Sequence, residues 1–354
     1  QLDRKVSAAE REDSSKQPAA SMARMQELYP KRAKCGTRPR MRNPKTTAVI
    51  ANPAARGGWV NQNRQQLQEQ IHRTLGKVSI HFTGAPGQAS TIAKGLVSEG
   101  YDTLVSLGGD GTHSEVVEGI MQAGAREPVS LGVLHAGTGG DFRRVVRGSD
   151  DFLQACELIQ SAESQPIDVG WVRYVQDDGQ TASRHFLNIT SMGMSGLVDR
   201  YVARSKIRSN GTAAYLLATL RAQTQYKPAR IRLRLDGETK GDYEVSALCV
   251  CNGRWAGGGM MFAPEARLSD GLFDVIVIRA ASTLRGLPVM AGLYRGTHLR
   301  SALVQSFRGR HVEAEVLENT AWMDIDGEAP GTGPAEFRLL PQAIRLIGLH
   351  PDFA

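Results

Sequence analysis

Long apolar runs are absent from this sequence, and cysteine is scarce. No stretch approaches the roughly 18–20 consecutive apolar residues that a bilayer-spanning helix needs, and the N-terminus lacks the apolar core of a signal peptide. If the protein meets a membrane, we therefore expect it to lie on the surface. The four cysteines form no CxxC pair and have no matching pair of histidines, which argues against a disulfide framework or a structural zinc site. A reducing cytoplasm fits this pattern.

Several nucleotide-binding signatures are also missing. The sequence contains no GxxxxGK[ST] and neither the HRD nor the DFG element, which excludes a P-loop enzyme and a protein kinase. It contains no GxGxxG followed by an acidic residue, which argues against hydride transfer on a dinucleotide.

The composition is that of a folded protein with a positive bias. Hydrophobic residues make up 41% and charged residues 22% of the 354 residues, which is enough chain for two domains. The net charge of +7 favours anionic partners without choosing among nucleotide phosphates, nucleic acid and acidic lipid headgroups. Basic residues crowd among prolines before position 45, so residues 1–44 are expected to be a disordered tail, with a flexible membrane or RNA contact as the alternative.

Residues 45–165 alternate between strand-like and helix-like segments. Strands are predicted at 46–50, 78–82, 103–107 and 131–134, and helices at 60–75, 89–98 and 114–122. Such alternation indicates a mostly parallel sheet with helices on both faces, a Rossmann-like α/β nucleotide-binding domain. Ligands of these sheets bind at the carboxyl ends of the strands.

Residues 166–341 follow a β-rich pattern. Strands separated by short turns are predicted at 169–175, 185–189, 231–235, 243–252, 271–278, 312–318 and 336–340, with a single good helix at about 212–222. This pattern indicates a β-sandwich or a closed sheet. Cys249 and Cys251 fall on one face of a strand, as expected of small core residues.

Two glycine-rich turns are candidates for phosphate binding. A buried-type strand stops at Gly108-Gly109-Asp110-Gly111-Thr112, where a helix begins; its free N–H groups and the glycines suit phosphate oxygens. Asp110 adds a carboxylate where a phosphate-bound Mg²⁺ would need a ligand. Alone, this segment could also be a tight strand–helix turn with an Asp cap. However, Gly137-Thr138-Gly139-Gly140-Asp141 follows the next strand, so both turns should reach one crevice, with Thr83 on the same rim.

These motifs resemble the diacylglycerol kinase catalytic family, which includes bacterial lipid kinases and is similar to sphingosine and ceramide kinases. NAD kinases and phosphofructokinases share a version of GGDGT, but the second half of the chain favours the lipid kinases. It reads, in order, IDVG from Ile167, FLNITSMG from Phe186, NGRWAGGG from Asn252, APEA from Ala263, DGLFD from Asp270 and DIDGE from Asp324. The resemblance covers nearly everything from Lys45 to Leu349.

The resemblance implies an architecture and a set of roles. ATP would lie in the cleft between two domains, and a final segment at about 342–350 would return to complete the first. Glu328 and Asp326 would supply the proton acceptor for a lipid hydroxyl, with Glu328 preferred, and Asp110 would lie near a catalytic Mg²⁺. Asp270, with the backbone carbonyls of Arg267 and Leu272, would hold a structural Mg²⁺. The implied nucleotide-binding residues are Asn52, Thr83, Gly108, Gly109, Asp110, Gly111, Thr112, Glu115, Gly137, Thr138 and Gly139.

The implied activity is transfer of the γ-phosphate of ATP to a lipid hydroxyl, most directly that of diacylglycerol, at the inner face of a membrane. The alternatives are a sphingoid-base or ceramide kinase, then an NAD kinase, then a non-catalytic lipid- or RNA-binding module. For Asp326-Gly327-Glu328 the alternative is a simple hairpin turn. No nucleic-acid partner is expected of the enzyme, and a homodimer is left open.

The chain departs from the family pattern at three places. Gly140 and Ser114 each replace a usual Asn, and His135-Ala136 replaces Pro-Leu. These changes bear on nucleotide affinity rather than on the fold, and His135 is expected to be a packed loop residue.

The segment from Arg200 to Arg234 contains nine basic residues and no acidic residue. Such a surface could dock on anionic lipid, or it could be a solvated rim with arginines along an exposed strand face. The basic residues are Arg200, Arg204, Lys206, Arg208, Arg221, Lys227, Arg230, Arg232 and Arg234.

Overall fold

The computed structural model describes residues 43, 45–137, 140–147, 151–204, 218, 221–222 and 225–354. The predictions made for the N-terminal tail, for Thr138 and Gly139, and for most of the helix at 212–222 lie outside these residues.

Four parallel strands build the N-terminal half of the sheet. They are β1 (Thr47–Ala51), β2 (Ser79–Phe82), β3 (Thr103–Gly108) and β4 (Ser130–His135), in the order β4-β3-β1-β2. β1 and β3 are buried along their whole length, as continuous apolar runs in a parallel sheet require. The carboxyl ends of β3 and β4 therefore lie side by side.

Helices connect and cover these strands. They are α1 (Ala55–Gln62), α2 (Arg64–Leu75), α3 (Gln88–Ser98), α4 (Asp110–Ala123) and α5 (Phe152–Ser161). α2 buries Leu67, Ile71 and Leu75, which repeat every four residues and so form one apolar face. α4 begins directly where β3 ends, and Gly124 terminates it in the left-handed conformation with φ +62°.

Antiparallel strands make up most of the second half. These are β5 (Ser164–Gln176), β6 (Thr181–Phe186), β7 (Ile189–Gly193), β8 (Ala229–Leu235), β9 (Glu238–Cys251), β10 (Trp255–Ala256), β11 (Met260–Met261), β12 (Phe273–Arg279), β13 (Val304–Gly309), β14 (His311–Glu318), β15 (Met323–Ile325) and β16 (Gly331–Ile347). Their inward-facing residues form a continuous apolar core that includes Phe186, Phe273 and Phe337. Cys249 and Cys251 are fully buried, as predicted.

The last strand links the two halves. β16 pairs antiparallel with β14 and β5, and its end pairs parallel with β4 through Arg345 and Leu346. The predicted fold class is thus confirmed: a parallel α/β part, a β-rich part, and a final segment that returns to the first sheet. Residues 39–354 form one unit through these pairings.

The prediction that a single helix interrupts the second half was wrong. Two more helices are present, α6 (Met194–Arg204) and α7 (Thr283–Leu293). α7 contains Gly286, Pro288 and Gly292, whose low helix propensity hides it from a sequence pattern. In the described parts of the chain, no helix has both the length and the apolar character needed to cross a bilayer.

Candidate active site

The two glycine-rich turns touch each other where β3 and β4 end. A Cβ placed on Gly137 would lie 3.0 Å from the Cα of Gly109, closer than ordinary packing allows. A Cβ on Gly108 would lie 2.4 Å from Oγ1 of Thr112. Glycine is therefore required for the backbones to approach this closely. The structure brings the described residues of both turns to one edge of the sheet.

The first turn of α4 faces this edge with its N–H groups available. No side chain caps the helix, and Gly109 is extended at its N-cap. Asn52 reaches across from the end of β1, and its Nδ2 donates to Oγ1 of Thr112 at 3.1 Å. Unpaired N–H groups and the helix dipole together make such a terminus an anion-binding site. Thr83 lies beyond the end of β2, with its N–H bonded to the carbonyl of Ala51.

The carboxylate of Glu328 stands opposite this helix terminus. Its Oε1 lies 3.9 Å from the position that a Cβ on Gly111 would occupy. The side chain is 45% exposed, and it pairs with the guanidinium of Arg184 on β6. A carboxylate from the C-terminal part of the chain therefore lies beside the glycine turn and is partly open to solvent.

The carboxylate of Asp326 is occupied by structural hydrogen bonds. It accepts the backbone N–H groups of Leu187 (2.7 Å), Asn188 (3.0 Å) and Ile189 (3.0 Å), together with the hydroxyl of Ser114 on α4 (2.7 Å). With four donors on two oxygens, no lone pair is left for a substrate proton. The assignment of Asp326 as a proton acceptor therefore does not fit the geometry, which gives it the role of fixing the turn against α4.

Asp324 secures the other side of the same turn. Its Oδ1 accepts the N–H of Gly327 at 2.8 Å, and its Oδ2 accepts the hydroxyl of Ser191 at 3.0 Å. Burial and the neighbouring carboxyl of Asp199 raise the pKa of Asp324 well above its ordinary value. The segment is thus a hairpin turn, closed by the pairing of Ile325 with Glu328, and this turn carries Glu328.

Glu115 does not line the nucleotide side of α4. Its carboxylate accepts the N–H groups of Gly87 (2.9 Å) and Ala89 (3.1 Å), at the start of α3. It therefore caps α3 and locks that helix to α4. The nucleotide-binding role implied for Glu115 does not fit this position, since both oxygens are used in the cap.

Arg184 was not predicted as a site residue, and Asp141 was named only as the last residue of the second glycine-rich turn. Asp141 donates its N–H to Oδ2 of Asp110 at 3.0 Å and accepts the N–H of Gly258 at 2.7 Å, so it joins the second glycine turn to the glycine run at 257–259. Burial raises the pKa of Asp141 above its ordinary value. GTGGDF and NGRWAGGG were both visible in the sequence, but nothing in it indicated that they meet. No sequence pattern pointed to Arg184, because its partner Glu328 lies 144 residues away in the chain.

The carboxylates at the glycine turns fit a hard divalent cation. Oδ1 of Asp110 and Oδ1 of Asp141 are buried and accept no hydrogen bond, and Oδ1 of Asp141 lies 3.6 Å from Nε of Arg144. Mg²⁺ prefers carboxylate oxygens and usually keeps several waters. The side chains present therefore fit the Mg²⁺ implied near Asp110.

The structural Mg²⁺ implied at Asp270 does not fit the observed contacts. Oδ1 of Asp270 accepts the N–H of Leu272 at 3.0 Å, and Oδ2 pairs with Arg308. Arg308 also lies 3.5 Å from Asp274. Both oxygens of Asp270 are thus occupied by protein donors, so we derive no step from a cation at Asp270, Arg267 and Leu272.

The basic segment is partly neutralised in the fold. Arg230 pairs with Glu318 at 3.2 Å, and Arg232 pairs with Asp242 at 2.9 Å, from the strands on either side of β8. Arg200 pairs with Asp177 at 2.7 Å. These arginines meet acidic partners that are distant in the sequence, which favours the solvated-rim reading for the described part of the segment. Arg204, Lys206 and Arg208 have no described side chain.

Comparisons with known proteins match both halves of the chain. The model of the diacylglycerol kinase catalytic domain matches residues 46–172, and that of the YegS C-terminal NAD kinase beta sandwich-like domain matches residues 188–348. The chain is 26% identical over 306 residues to a diacylglycerol kinase of Bacillus subtilis (strain 168), covering 86% of this chain and 96% of that protein. It is 27% identical to a diacylglycerol kinase of Staphylococcus carnosus (strain TM300), covering 85% and 94%. A crystal structure of a diacylglycerol kinase from Bacillus anthracis (strain Sterne) shares the fold, with a TM-score of 0.64 at 21% identity, covering 87% of this chain and 98% of that one.

Proposed function

The chain belongs to the diacylglycerol kinase catalytic family, and from this premise we propose that it transfers the γ-phosphate of ATP to the hydroxyl of diacylglycerol, giving phosphatidic acid. Membership of the family supports a lipid kinase activity. Diacylglycerol as the acceptor, ATP as the phosphate donor and Mg²⁺ as the metal are our proposals. The observation that carries it is the carboxylate of Glu328 opposite Gly111 at the start of α4.

The phosphates of ATP would lie against the N–H groups of the first turn of α4. The close approach of Gly109 and Gly137 leaves backbone rather than side chain at this surface, so phosphate oxygens can reach the amides. Mg²⁺ held by Oδ1 of Asp110, with the carboxylate of Asp141 beside it, would supply charge neutralisation for the triphosphate. Phosphoryl transfer depends mainly on such positioning and neutralisation.

Glu328 would act as the general base. Its carboxylate takes the proton of the lipid hydroxyl, the hydroxyl oxygen forms a bond to the γ-phosphorus, and the bond from that phosphorus to the β–γ bridging oxygen breaks to release ADP. Arg184 holds the side chain in place, and Asp326 and Asp324 hold the turn. The base is thereby fixed relative to α4, as near-attack geometry requires.

A radiolabel transfer assay tests the proposal. Labelled ATP is offered with diacylglycerol, ceramide, sphingosine or NAD in detergent micelles, and the products are separated by thin-layer chromatography. We expect label in phosphatidic acid, and we expect Asp110→Ala to abolish it. Label appearing only in the ceramide or sphingosine lane would reassign the acceptor. Label in NAD alone, or in no product, would overturn the proposal of a diacylglycerol kinase.

For the approach to membrane we propose α7 as the docking element. Four large side chains on its outer face are exposed, namely Leu284 (81%), Leu287 (56%), Met290 (38%) and Tyr294 (58%). Val289 and Leu293 on the opposite face are buried. Between Asp274 and Glu313 the sequence has six arginines and no acidic residue. An exposed apolar stripe in a basic setting matches the chemistry of an anionic bilayer surface.

Replacing Leu284 and Leu287 together by glutamine should lower the partition coefficient onto phosphatidylglycerol-containing vesicles by about tenfold or more, because two apolar side chains no longer enter the interface. Sedimentation with vesicles measures this. The matched control is Arg230→Gln with Arg232→Gln, whose arginines are already paired, and it should bind like the wild type. Equal vesicle binding of the leucine variant and the wild type would rule out docking through α7.

A further inference from the structure

Two carboxyl groups meet behind the turn that carries Glu328. The side chain of Asp199 on α6 forms a hydrogen bond with the carboxyl of Asp324 on β15. Both residues are only partly accessible to solvent. Two carboxylates offer acceptors and no donor, so a hydrogen bond between them requires a proton. The contact therefore shows that the pair holds at least one proton in the folded chain.

Asp324 connects this pair to the turn. Its Oδ1 accepts the N–H of Gly327 at 2.8 Å, directly before Glu328, and its Oδ2 accepts the hydroxyl of Ser191 on β7 at 3.0 Å. Oγ of Ser191 also lies 2.7 Å from Oγ of Ser195 on α6. α6 therefore meets the turn through a small polar network, and Asp199 acts on the turn through Asp324.

The acidic groups around the pair oppose a second charge on it. Asp326 follows on the same turn, and its carboxyl raises the pKa of Asp324, after burial and the carboxyl of Asp199. Cys249 on β9 is a fully buried thiol, and its pKa is raised by burial and by the carboxyl of Asp324. Both neighbours would make full ionisation of the pair more costly.

The nearest arginine along the chain is occupied elsewhere. Arg200 follows Asp199 on α6, but its guanidinium pairs with Asp177 at 2.7 Å and lies 4.6 Å from the ring centre of Trp322. In the stretches that the structure describes, neither carboxyl of the pair has an ion-pair partner. A proton is therefore what offsets the charge between them.

We propose that Asp199 is a positioning residue for phosphoryl transfer, because the proton that it shares with Asp324 holds the turn that carries Glu328. This inference rests on the proposed role of Glu328 as the general base. When both carboxyls ionise, the contact has no donor and the two charges repel. Asp324 then moves away with its bond to Gly327, and Glu328 is no longer fixed relative to α4.

The pair should make stability depend on pH in one direction. Burial raises the pKa of Asp199 to about 6, and the pKa of Asp324 is raised further above its ordinary value by burial and by Asp199. An aspartate of the unfolded chain titrates at about 3.9, so near neutral pH the folded pair keeps a proton that the unfolded chain has released. The stabilisation is therefore complete below the unfolded pKa and is lost as the pH rises through the folded pKa.

Chemical denaturation between about pH 6 and pH 9 tests the shared proton by comparing the wild type with Asp199→Asn. An amide offers both a donor and an acceptor and does not ionise, so the contact with Asp324 should survive at every pH. We expect the unfolding equilibrium constant of the wild type to rise relative to that of the variant by up to about tenfold per pH unit, the value for one proton. No nucleotide or lipid is needed.

Kinetics in the lipid assay test the positioning role. Asp199→Leu removes the hydrogen bond, so kcat should fall by about 10–100-fold while KM for ATP changes by no more than about twofold. Asp199→Asn should recover kcat, and the alkaline limb of its kcat profile should lie at higher pH than that of the wild type. Asp178→Asn is the control, because Asp178 is exposed on the turn between β5 and β6, and it should follow the wild type in both measurements.

The outcomes separate this inference from the proposed function. A parallel pH dependence of unfolding in the wild type and Asp199→Asn would overturn the shared proton. An Asp199→Leu enzyme with the kcat of the wild type would overturn the positioning role. Absence of any lipid phosphorylation by the wild type would overturn the proposed function and the positioning role with it, whereas a failure of the pair alone would appear in the denaturation series of an active enzyme. If Asp199→Leu fails to fold, Asp199→Asn still decides through both pH profiles.

Discussion

Replacing Glu328 by glutamine should lower kcat for lipid phosphorylation by about 10²–10⁴-fold, the usual contribution of a general base. The substitution keeps the size of the side chain and a hydrogen bond to Arg184, so the fold should be preserved. Nucleotide affinity should change by no more than about twofold, because Glu328 acts on the acceptor hydroxyl and not on the phosphates. Steady-state kinetics in mixed micelles and nucleotide titration measure the two effects separately.

Glu318→Gln is the control for this experiment. Glu318 is an exposed glutamate of the same half that pairs with Arg230, and its loss should leave kcat within about twofold of the wild type. A Glu328→Gln enzyme with near wild-type kcat would remove Glu328 from the chemistry. Equal losses of kcat and nucleotide affinity would assign it to binding instead.

Replacing Asp326 by asparagine should destabilise the fold by about 3–5 kcal/mol. Each oxygen of the carboxylate accepts two of the four donors, so two donors would then face an amide NH₂ group that cannot accept them. Chemical denaturation measures the change in the free energy of unfolding. Activity should fall as well, because the turn that carries Glu328 would no longer be held against α4.

Ser114→Ala distinguishes the side-chain donor on α4 from the three backbone donors to Asp326. It removes one donor and leaves the three backbone N–H groups on Asp326, so it should cost about 1 kcal/mol. If Asp326→Asn unfolds at the wild-type denaturant concentration but loses kcat, Asp326 is a participant in the chemistry and the structural assignment made above is wrong.

The sheet of the N-terminal half could be predicted closely from the sequence. β1, β3 and β4 are short apolar runs bounded by glycine turns, and α2 repeats its leucines and isoleucine every four residues. These patterns are local, so they can be recognised without any knowledge of the fold. β13 and α7 were missed, since the first is short and mixed in polarity and the second carries glycine and proline.

The candidate site was predicted in part. The meeting of Gly109 and Gly137 follows from the edge rule of parallel sheets, and it could be anticipated. The direction in which each side chain points could not be anticipated from the sequence. Glu115 lies in the same motif as Asp110 but turns to α3, and Asp326 lies two residues from Glu328 but turns inward to three backbone amides. Which way a carboxylate points depends on donors that are distant in the sequence.

The departure at position 114 has an explanation in the fold. The short hydroxyl of Ser114 reaches Asp326 at 2.7 Å, so this position serves the contact between α4 and the turn that carries Glu328. Gly140 likewise adopts φ +68° and leaves room for His135. Neither change could be read as structural from the sequence, since both depend on residues that meet only in the folded chain.

A crystal structure of the protein with a non-hydrolysable ATP analogue and Mg²⁺ tests the central claim most directly. We expect the triphosphate to lie on the N–H groups of the first turn of α4, beside Asp110, with the γ-phosphate directed at the gap that Glu328 borders. A triphosphate bound away from Gly109 and Gly111, or a γ-phosphate separated from Glu328 by packed protein, would contradict the claim that these two parts of the chain form one phosphoryl-transfer site.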